Sequence, residues 1–171
     1  MTRPVSLILP NRNNGPVLDL ALERLATHTT HPDFELIVVD DASTDGSLEI
    51  LRRWRDSRRF ERFKLLETAH SGVADSLNQG LAAAEGELVV SLDGDATLET
   101  PGWLERMEAL LESDPRVGIV SAGIVLDTGR VHAYGVNLVG PLGMHDRPSR
   151  PTEPAGRRTL HGNVRRVKPS A

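Results

Sequence analysis

Cysteine is absent from the 171 residues, which excludes disulfides, thiol catalysis and thiolate zinc sites and fits a reducing compartment. No apolar run approaches the roughly 18 residues of a membrane span, and Met1 leads into a short strand rather than a secretory leader. A cytoplasmic protein is expected. No charge of one sign dominates: the formal net charge is -4 and the sequence pI is about 5.9. That balance argues against nucleic acid as a partner and for an ordinary solvated surface. The histidines, His28, His31, His70, His132, His145 and His161, show no ligand spacing, and no metal is assigned to them. The length suits one domain, complete or incomplete, with a core able to fold alone.

What is present is most telling at Leu88-Val89-Val90-Ser91-Leu92-Asp93-Gly94-Asp95, an apolar strand that stops at two carboxylates. Residues i and i+2 of an extended segment share a face, so Asp93 and Asp95 address one cation if the backbone stays extended through Gly94. Hard oxygen ligands suit Mg or Mn, and those ions suit a diphosphate. An isolated Asp-x-Asp, however, usually marks a solvated turn.

The remaining chain supplies context. Val5 to Leu9 is a short apolar strand broken by Pro10-Asn11-Arg12-Asn13-Asn14-Gly15-Pro16, and Leu18, Ala21, Leu22 and Leu25 place an apolar stripe on a helix over Val17 to Thr27. The pattern repeats with a strand from Phe34 to Val39, a turn from Asp40 to Gly46 and a helix carrying Leu48, Ile50, Leu51 and Trp54, with Ser43 or Thr44 as its cap. A strand over Phe63 to Leu66 precedes a helix from about Gly72 to Ala84, expected to bury Val73, Leu77 and Leu81. After Asp95, Thr100-Pro101 reads as N-cap and first helical residue. Trp103, Met107, Leu110 and Leu111 form the inward stripe of a helix that ends before Pro115, and Val117 to Ala122 is a further strand.

Alternating strands and helices imply right-handed crossovers and a mostly parallel, doubly wound α/β sheet with helices on both faces. Pro10, Asp40 and Asp95 then sit at strand ends along one edge, where open α/β sheets bind ligands.

These residues amount to a pattern: Val5 through Asn13; Phe34 to Asp41 with Ser43-Thr44-Asp45-Gly46; Gly72 through Asn78 with Gly80 to Glu87; and Asp93-Gly94-Asp95. The chain resembles the family 2 glycosyltransferases of GT-A fold from about Val5 to Ala122. Further on, Asp127 to Val136 looks like the hairpin of rhamnosyltransferase-like members. The implied organisation is a nucleotide-sugar-binding domain over residues 1–140, with its core at 4–122, followed by a tail at 141–171.

The resemblance implies roles position by position. Pro10, Asn11 and Arg12 sit where the first loop wraps the nucleotide, and Asp41 where a carboxylate accepts the ring NH of uracil or thymine, with Asp40 as its neighbour. Asp95 corresponds to the metal ligand and Asp93 to its partner, Gly94 lying between them on the donor. Asn78 belongs to the segment that lines the same pocket, where many members carry a basic residue just before the asparagine; here that position is Leu77. Arg12 stands where relatives stack an aromatic on the base, and a guanidinium can also stack. Each has a plainer reading: Asp40 and Asp41 as a strand terminus and turn, Asn78 as an exposed helix residue, Arg12 as a solvent-facing cation. Trp54 and Trp103 read as core.

The implied reaction is transfer of a sugar from a UDP- or dTDP-sugar to a hydroxyl of a glycan or lipid-linked acceptor, with a divalent metal, Mg or Mn, and inversion at the anomeric carbon. That reaction needs a general base, which the family supplies beyond the Asp-x-Asp. Beyond Ala122 stand the carboxylates Asp127, Asp146 and Glu153, and none is assigned. From Asp146 to Lys168 seven basic residues face Asp146 and Glu153. This Pro-, Arg- and Gly-rich tail reads as disordered and as the end of a truncated gene, or as a basic arm for an anionic membrane at its cytoplasmic face or for an acidic partner. An alternative is a fragment that binds a nucleotide sugar or a partner subunit without turnover. A more remote one is a haloacid-dehalogenase-type phosphatase, because Asp93-Gly94-Asp95-Ala96-Thr97 mimics its nucleophile loop, although three strands precede it here. A sugar nucleotidyltransferase would carry a glycine-rich, basic first loop that is missing between Leu9 and Val17.

Overall fold

The computed structural model describes residues 3–123 in full and the backbone of 124–125, 131–133, 136–139, 143–146 and 163–166. Its centre is a sheet of order β3-β2-β1-β4-β10-β5. The strands are β1 (Val5–Asn11), β2 (Phe34–Asp41), β3 (Phe63–Thr68), β4 (Leu88–Ser91), β5 (Ile119–Ser121) and β10 (Asn163–Arg166). β1 pairs in parallel with β2 and β4, and β2 with β3, whereas β10 runs antiparallel to both β4 and β5. Every residue of β2 after Phe34 is buried, as a central parallel strand covered on both faces requires.

Alternation along the strands divides the interior in two. Leu7, Leu9, Leu36, Val38, Leu88 and Val90 form one core with helices α1 (Gly15–His28), α2 (Ser47–Ser57) and α4 (Trp103–Glu112), through Leu18, Leu22, Leu25, Leu51, Trp54, Trp103, Leu104 and Met107. Ile8 and Val39 turn to the opposite face, where helix α3 (Val73–Ala83) lies. Trp103 is fully buried and its Nε1 donates to Thr29 Oγ1 at 3.0 Å, and the Trp54 Nε1 donates to Asp19 Oδ1 at 2.6 Å. Both tryptophans are core residues, as expected.

Helix α3 departs from the expected packing. Val73 is 64% and Leu81 42% exposed, and the residues that meet the sheet are Ser76 and Gly80. The reason is distance. A Cβ on Gly80 would lie 2.3 Å from Ile8 Cγ2, so the helix rides too close to the strands for a leucine between them. Gly80→Val is therefore expected to destabilise the protein by about 2–3 kcal/mol through overpacking, measurable by urea unfolding. An unchanged midpoint would show that the helix can lift away at no cost.

The fourth helix also differs. Its N-cap is Gly102 in the left-handed region at φ 66°, so Thr100-Pro101 precedes the helix rather than starting it. Leu104 is buried where Leu110, 57% exposed, was expected; with Trp103 as first helical residue, the inward stripe runs 103, 104, 107, 111. Ser43 and Thr44 do not cap α2. Its N-cap is Gly46 at φ 91°, and Asp45 Oδ1 instead accepts the Ser47 N–H and hydroxyl at 3.0 and 2.6 Å.

Beyond β5 the chain forms short antiparallel pairs, β6 (Ile124–Val125) with β7 (Val131–Ala133) and β8 (Val136–Val139) with β9 (Gly143–Asp146). Of the hairpin expected over Asp127 to Val136, strand β7 and the first residue of β8 are described, and residues 127–130 and 134–135 lie outside the described residues. The tail expected to lack structure contributes β9 and the sheet strand β10, with Asn163 opposite Ser91 on one side and Ser121 on the other. A single β-branched residue in Asn163-Val164-Arg165-Arg166 gives little local signal, and the pairing comes from two neighbouring strands that each offer an edge. The remaining tail, including Glu153 and His161, lies outside the described residues. Among the described residues no helix is long and apolar enough to cross a membrane.

Candidate functional site

The carboxyl ends of β1, β2 and β4 open into one cleft of about 510 Å³. Pro10, Asn11, Arg12 and Asn14 line it from the first loop, Asp41 from the end of β2, His70, Gly72, Val73 and Ser76 from the approach to α3, and Asp93, Gly94 and Asp95 from the loop after β4. A second groove between α1 and α2 is larger, about 740 Å³, but its charges are already used. Asp19 holds Arg53 at 2.7 Å and the Trp54 indole, and Glu23 holds Arg59 at 3.2 Å.

Hydrogen bonds zip the first two loops together. Asn13 adopts φ 54° and Ala42 φ 56°, and the two bends meet. The Asn13 N–H donates to Ser43 Oγ at 3.0 Å, and the Thr44 N–H donates to Asn13 Oδ1 at 2.8 Å. Asp45 Oδ2 accepts the Gly15 N–H at 2.8 Å, tying the start of α1 to the start of α2. The Ser47 hydroxyl, opposed by slight burial and aided by the N–H groups of Gly15 and Ser47, holds the Asp45 carboxyl below the usual aspartate range. Ser43 and Thr44 thus serve the site.

Asp40 and Asp41 have different tasks. Asp40 is 2% exposed and does not line the cleft; it accepts the Asn11 amide at 2.8 Å and the Ser43 N–H and hydroxyl at 3.0 and 2.6 Å. It positions Asn11, whose carbonyl in turn accepts from the Asn14 amide at 3.2 Å. Asp41 faces the cleft. Its Oδ1 accepts the Ser71 N–H at 2.7 Å, and its Oδ2 accepts the Gly72 N–H at 3.0 Å and His70 Nδ1–H at 2.7 Å, with Arg12 Nη1 at 3.6 Å.

The loop after β4 is not extended as expected. Leu92 N–H bonds Ile8 C=O at 2.9 Å, continuing the ladder to β1, but the next rung would need an N–H from Pro10, which has none. The chain therefore leaves the sheet, and the Ala96 N–H closes a turn onto Asp93 C=O at 3.1 Å. A turn, rather than the two-residue period of a strand, brings Asp93 and Asp95 to the same cleft. Both are exposed and make no side-chain hydrogen bond or ion pair among the described residues. Gly94 between them is buried against the first loop: a Cβ there would meet Asn14 Nδ2 at 2.7 Å, Pro10 O at 3.0 Å and Asn11 Oδ1 at 3.3 Å. If the cleft takes the nucleotide that the sequence resemblance implies, Gly94→Ala should shift both carboxylates and weaken that binding by about tenfold. Full affinity in this variant would show that the cleft tolerates their displacement.

Among the described residues no group of three or more histidines and carboxylates gathers as a complete metal cage. Two unpartnered carboxylates fit a hard cation that takes its other ligands from a phosphate and from water. Of the residues expected at the site, Pro10, Asn11, Arg12, Asp41, Asp93, Gly94 and Asp95 come together. Asn78 does not line the cleft; it lies two residues beyond Ser76 on α3 and is exposed, since a 200° turn of the helix separates it from the cleft side. His70 and Asn14 were missed. His70 follows β3, and pairing of β3 beside β2 in register Asp41↔Thr68 was the signal that puts its loop against Asp41.

Comparison with known proteins sets this cleft in a family. The profile described as glycosyl transferase family 2 matches residues 6–166. The chain belongs to glycosyltransferase family 2. A glycosyltransferase of Nostoc sp., itself uncharacterized, is 30% identical over 123 residues, covering 72% of this chain and 37% of the relative. The mannosyltransferase PcManGT from Pyrobaculum calidifontis, solved in complex with GDP-Man and Mn2+, superposes with a TM-score of 0.65 at 35% identity, over 71% of this chain and 35% of that one. TarS of S. aureus, solved with UDP-GlcNAc, gives 0.57 at 30% identity, over 64% of this chain and 31% of that one. The chain thus spans well under half the length of each of these relatives, and its sheet has the GT-A fold. Family membership replaces the phosphatase reading.

Proposed function

We propose that the chain carries the donor site of a metal-dependent, inverting glycosyltransferase that uses a UDP- or dTDP-sugar. The observation that carries this reading is the convergence of Asp41, Arg12, Asp93 and Asp95 on one cleft at the carboxyl ends of β1, β2 and β4. Asp41 is an acceptor for a base N–H, Arg12 lies beside it to cover the base, and Asp93 and Asp95 would hold Mg or Mn. Such a cation offsets the negative charge that builds on the leaving diphosphate. The complexes of PcManGT with GDP-Man and Mn2+ and of TarS with UDP-GlcNAc support this use of the cleft.

In the reaction proposed, the hydroxyl oxygen of a glycan or lipid-linked acceptor attacks the anomeric carbon from the side opposite the diphosphate. The bond to the diphosphate breaks, the diphosphate leaves with its electron pair, and the hydroxyl proton passes to a general base. The cleft carboxylates Asp41, Asp93 and Asp95 all have work on the donor, and no base is assigned. The second reading is a unit that binds a nucleotide sugar without turnover. Calorimetric titration with UDP and dTDP, with and without Mn, tests the donor site, and binding that requires the metal is expected. Metal-dependent release of free sugar from a bound UDP-sugar would then distinguish an active enzyme from the non-hydrolysing binder.

A further inference from the structure

The cleft contains a titratable group that the proposed chemistry does not use. His70 is 58% exposed by its side chain, lines the cleft, and lies 2.7 Å by Nδ1 from Asp41 Oδ2. A carboxylate accepts and does not donate, so Nδ1 carries the proton of that bond. The other ring nitrogen, Nε2, has no partner among the described residues. Asp41 itself is 5% exposed by its side chain, and its Oδ1, bonded to the Ser71 N–H, keeps a second lone pair. An acceptor oxygen and an uncommitted imidazole nitrogen therefore stand side by side in the cleft.

Resting on the donor-site reading above, we propose that His70 reads the donor's base together with Asp41, its protonated Nε2 donating to the carbonyl that flanks the ring N–H of uracil or thymine. The chemistry of the base decides the partner. In uracil and thymine the ring N–H lies between two carbonyls, so a group beside Asp41 meets a carbonyl oxygen on either side. A neutral imidazole holding its proton on Nδ1 presents a lone pair to that oxygen and repels it; an imidazolium presents an N–H. Cytosine has a lone pair where uracil has the N–H, and Asp41 repels it. The charged groups around His70 are Asp41 from β2, Arg12 from the first loop, Asp75 in the first turn of α3, bonded to Ser71 Oγ at 2.6 Å, and Asp93 and Asp95 across the cleft. Histidine is the side chain among these types that ordinarily changes charge between about pH 6 and 8.

The test is the ratio of the CDP to the UDP dissociation constant, measured by calorimetry with Mg at about pH 6 and about pH 8. The terminal phosphate ionises alike in both nucleotides, so the ratio isolates the base. For the wild-type chain it is expected to be about tenfold larger at the lower pH, the worth of one charge-assisted hydrogen bond. His70→Gln, which places an amide N–H near the position of Nε2, should keep a preference for UDP without pH dependence. His70→Ala should lose about tenfold of the preference at the lower pH. A wild-type ratio equal at both pH values would overturn the role of His70, as would His70→Ala weakening UDP and CDP alike. Failure of the wild-type chain to bind either nucleotide would overturn the donor site and this proposal together.

Discussion

Asp95→Ala is expected to lower the Mn-supported affinity for UDP by about 100-fold and to leave the unfolding free energy within about 0.5 kcal/mol of the parent. The two halves of this expectation have one cause. Asp95 is exposed at a turn and has no side-chain hydrogen bond or ion pair among the described residues, so its removal leaves no buried group without a partner. Its value is in being unpaired, because a carboxylate already held by an arginine would have less to offer a cation. Asp93→Ala should weaken binding in the same direction. Unfolding of the Asp95→Ala protein, or an unchanged Mn-dependent affinity, would remove Asp95 from the metal site.

Glu35→Ala is expected to have the opposite profile, a loss of about 3 kcal/mol in stability with no change in nucleotide affinity. Glu35 is fully buried near the start of β2, at the end of the sheet away from the cleft. Its Oε1 accepts the Ser6 hydroxyl at 2.6 Å and the Glu85 N–H at 2.7 Å, and its Oε2 meets Lys64 Nζ at 2.9 Å. The Gly86 N–H donates to Ser6 Oγ at 2.8 Å, and a Cβ on Gly86 would lie 2.5 Å from Ser6 N, so the segment entering β4 is bolted closely to β1. Removing the carboxylate strands the Ser6 hydroxyl and the Glu85 N–H. Lys64 keeps Glu85 Oε1 at 2.6 Å and Ala83 C=O at 3.0 Å, so its charge is not orphaned.

The same network sets a pH dependence. Burial, the largest single influence, pushes the Glu35 carboxyl up, but hydrogen bonds from Lys64, Ser6 and the Glu85 N–H, with the charge of Lys64, outweigh it and hold the group below its ordinary value of 4.5. Below that value the unfolded chain binds the proton more readily than the folded one. The stabilisation is therefore complete above the ordinary value and is lost as pH falls through the lower folded one. Urea midpoints measured down the acid limb should fall less steeply for Glu35→Gln than for the parent. Equal slopes would mean that Glu35 titrates alike in both states.

The parts of the fold legible from sequence are those where hydrophobicity and geometry agree. β1, β2 and α1 are buried strongly enough that apolar runs and a 3.6-residue stripe identify them. Helix α3 misleads because close approach to Ile8 demands Ser76 and Gly80 on the inner face, and small residues carry no hydrophobic signal. That the strand ends carrying Pro10, Asp40 and Asp95 share one edge follows from strand order, but the aspartate at the end of β2 that faces the cleft is Asp41; the turn that delivers Asp93 and Asp95 depends on the N–H that Pro10 lacks in a neighbouring strand. Asp40 and Asp41 are adjacent and alike in sequence, yet one is a buried pin for Asn11 and the other faces the cleft. Strand β10 was hidden because its partners, β4 and β5, lie far from it along the chain.

The most direct test of the donor site is an amide NMR titration of the 15N-labelled chain with UDP and Mg. The cleft at the strand ends and the larger groove between α1 and α2 share no lining residue, so the shifts distinguish them. The expected result is perturbation of Asn11, Arg12, Asn14, Asp41, His70, Gly72, Gly94 and Asp95, with the Trp54 indole resonance unmoved. Shifts confined to Leu20, Arg53 and Trp54, or none at saturating nucleotide, would contradict it.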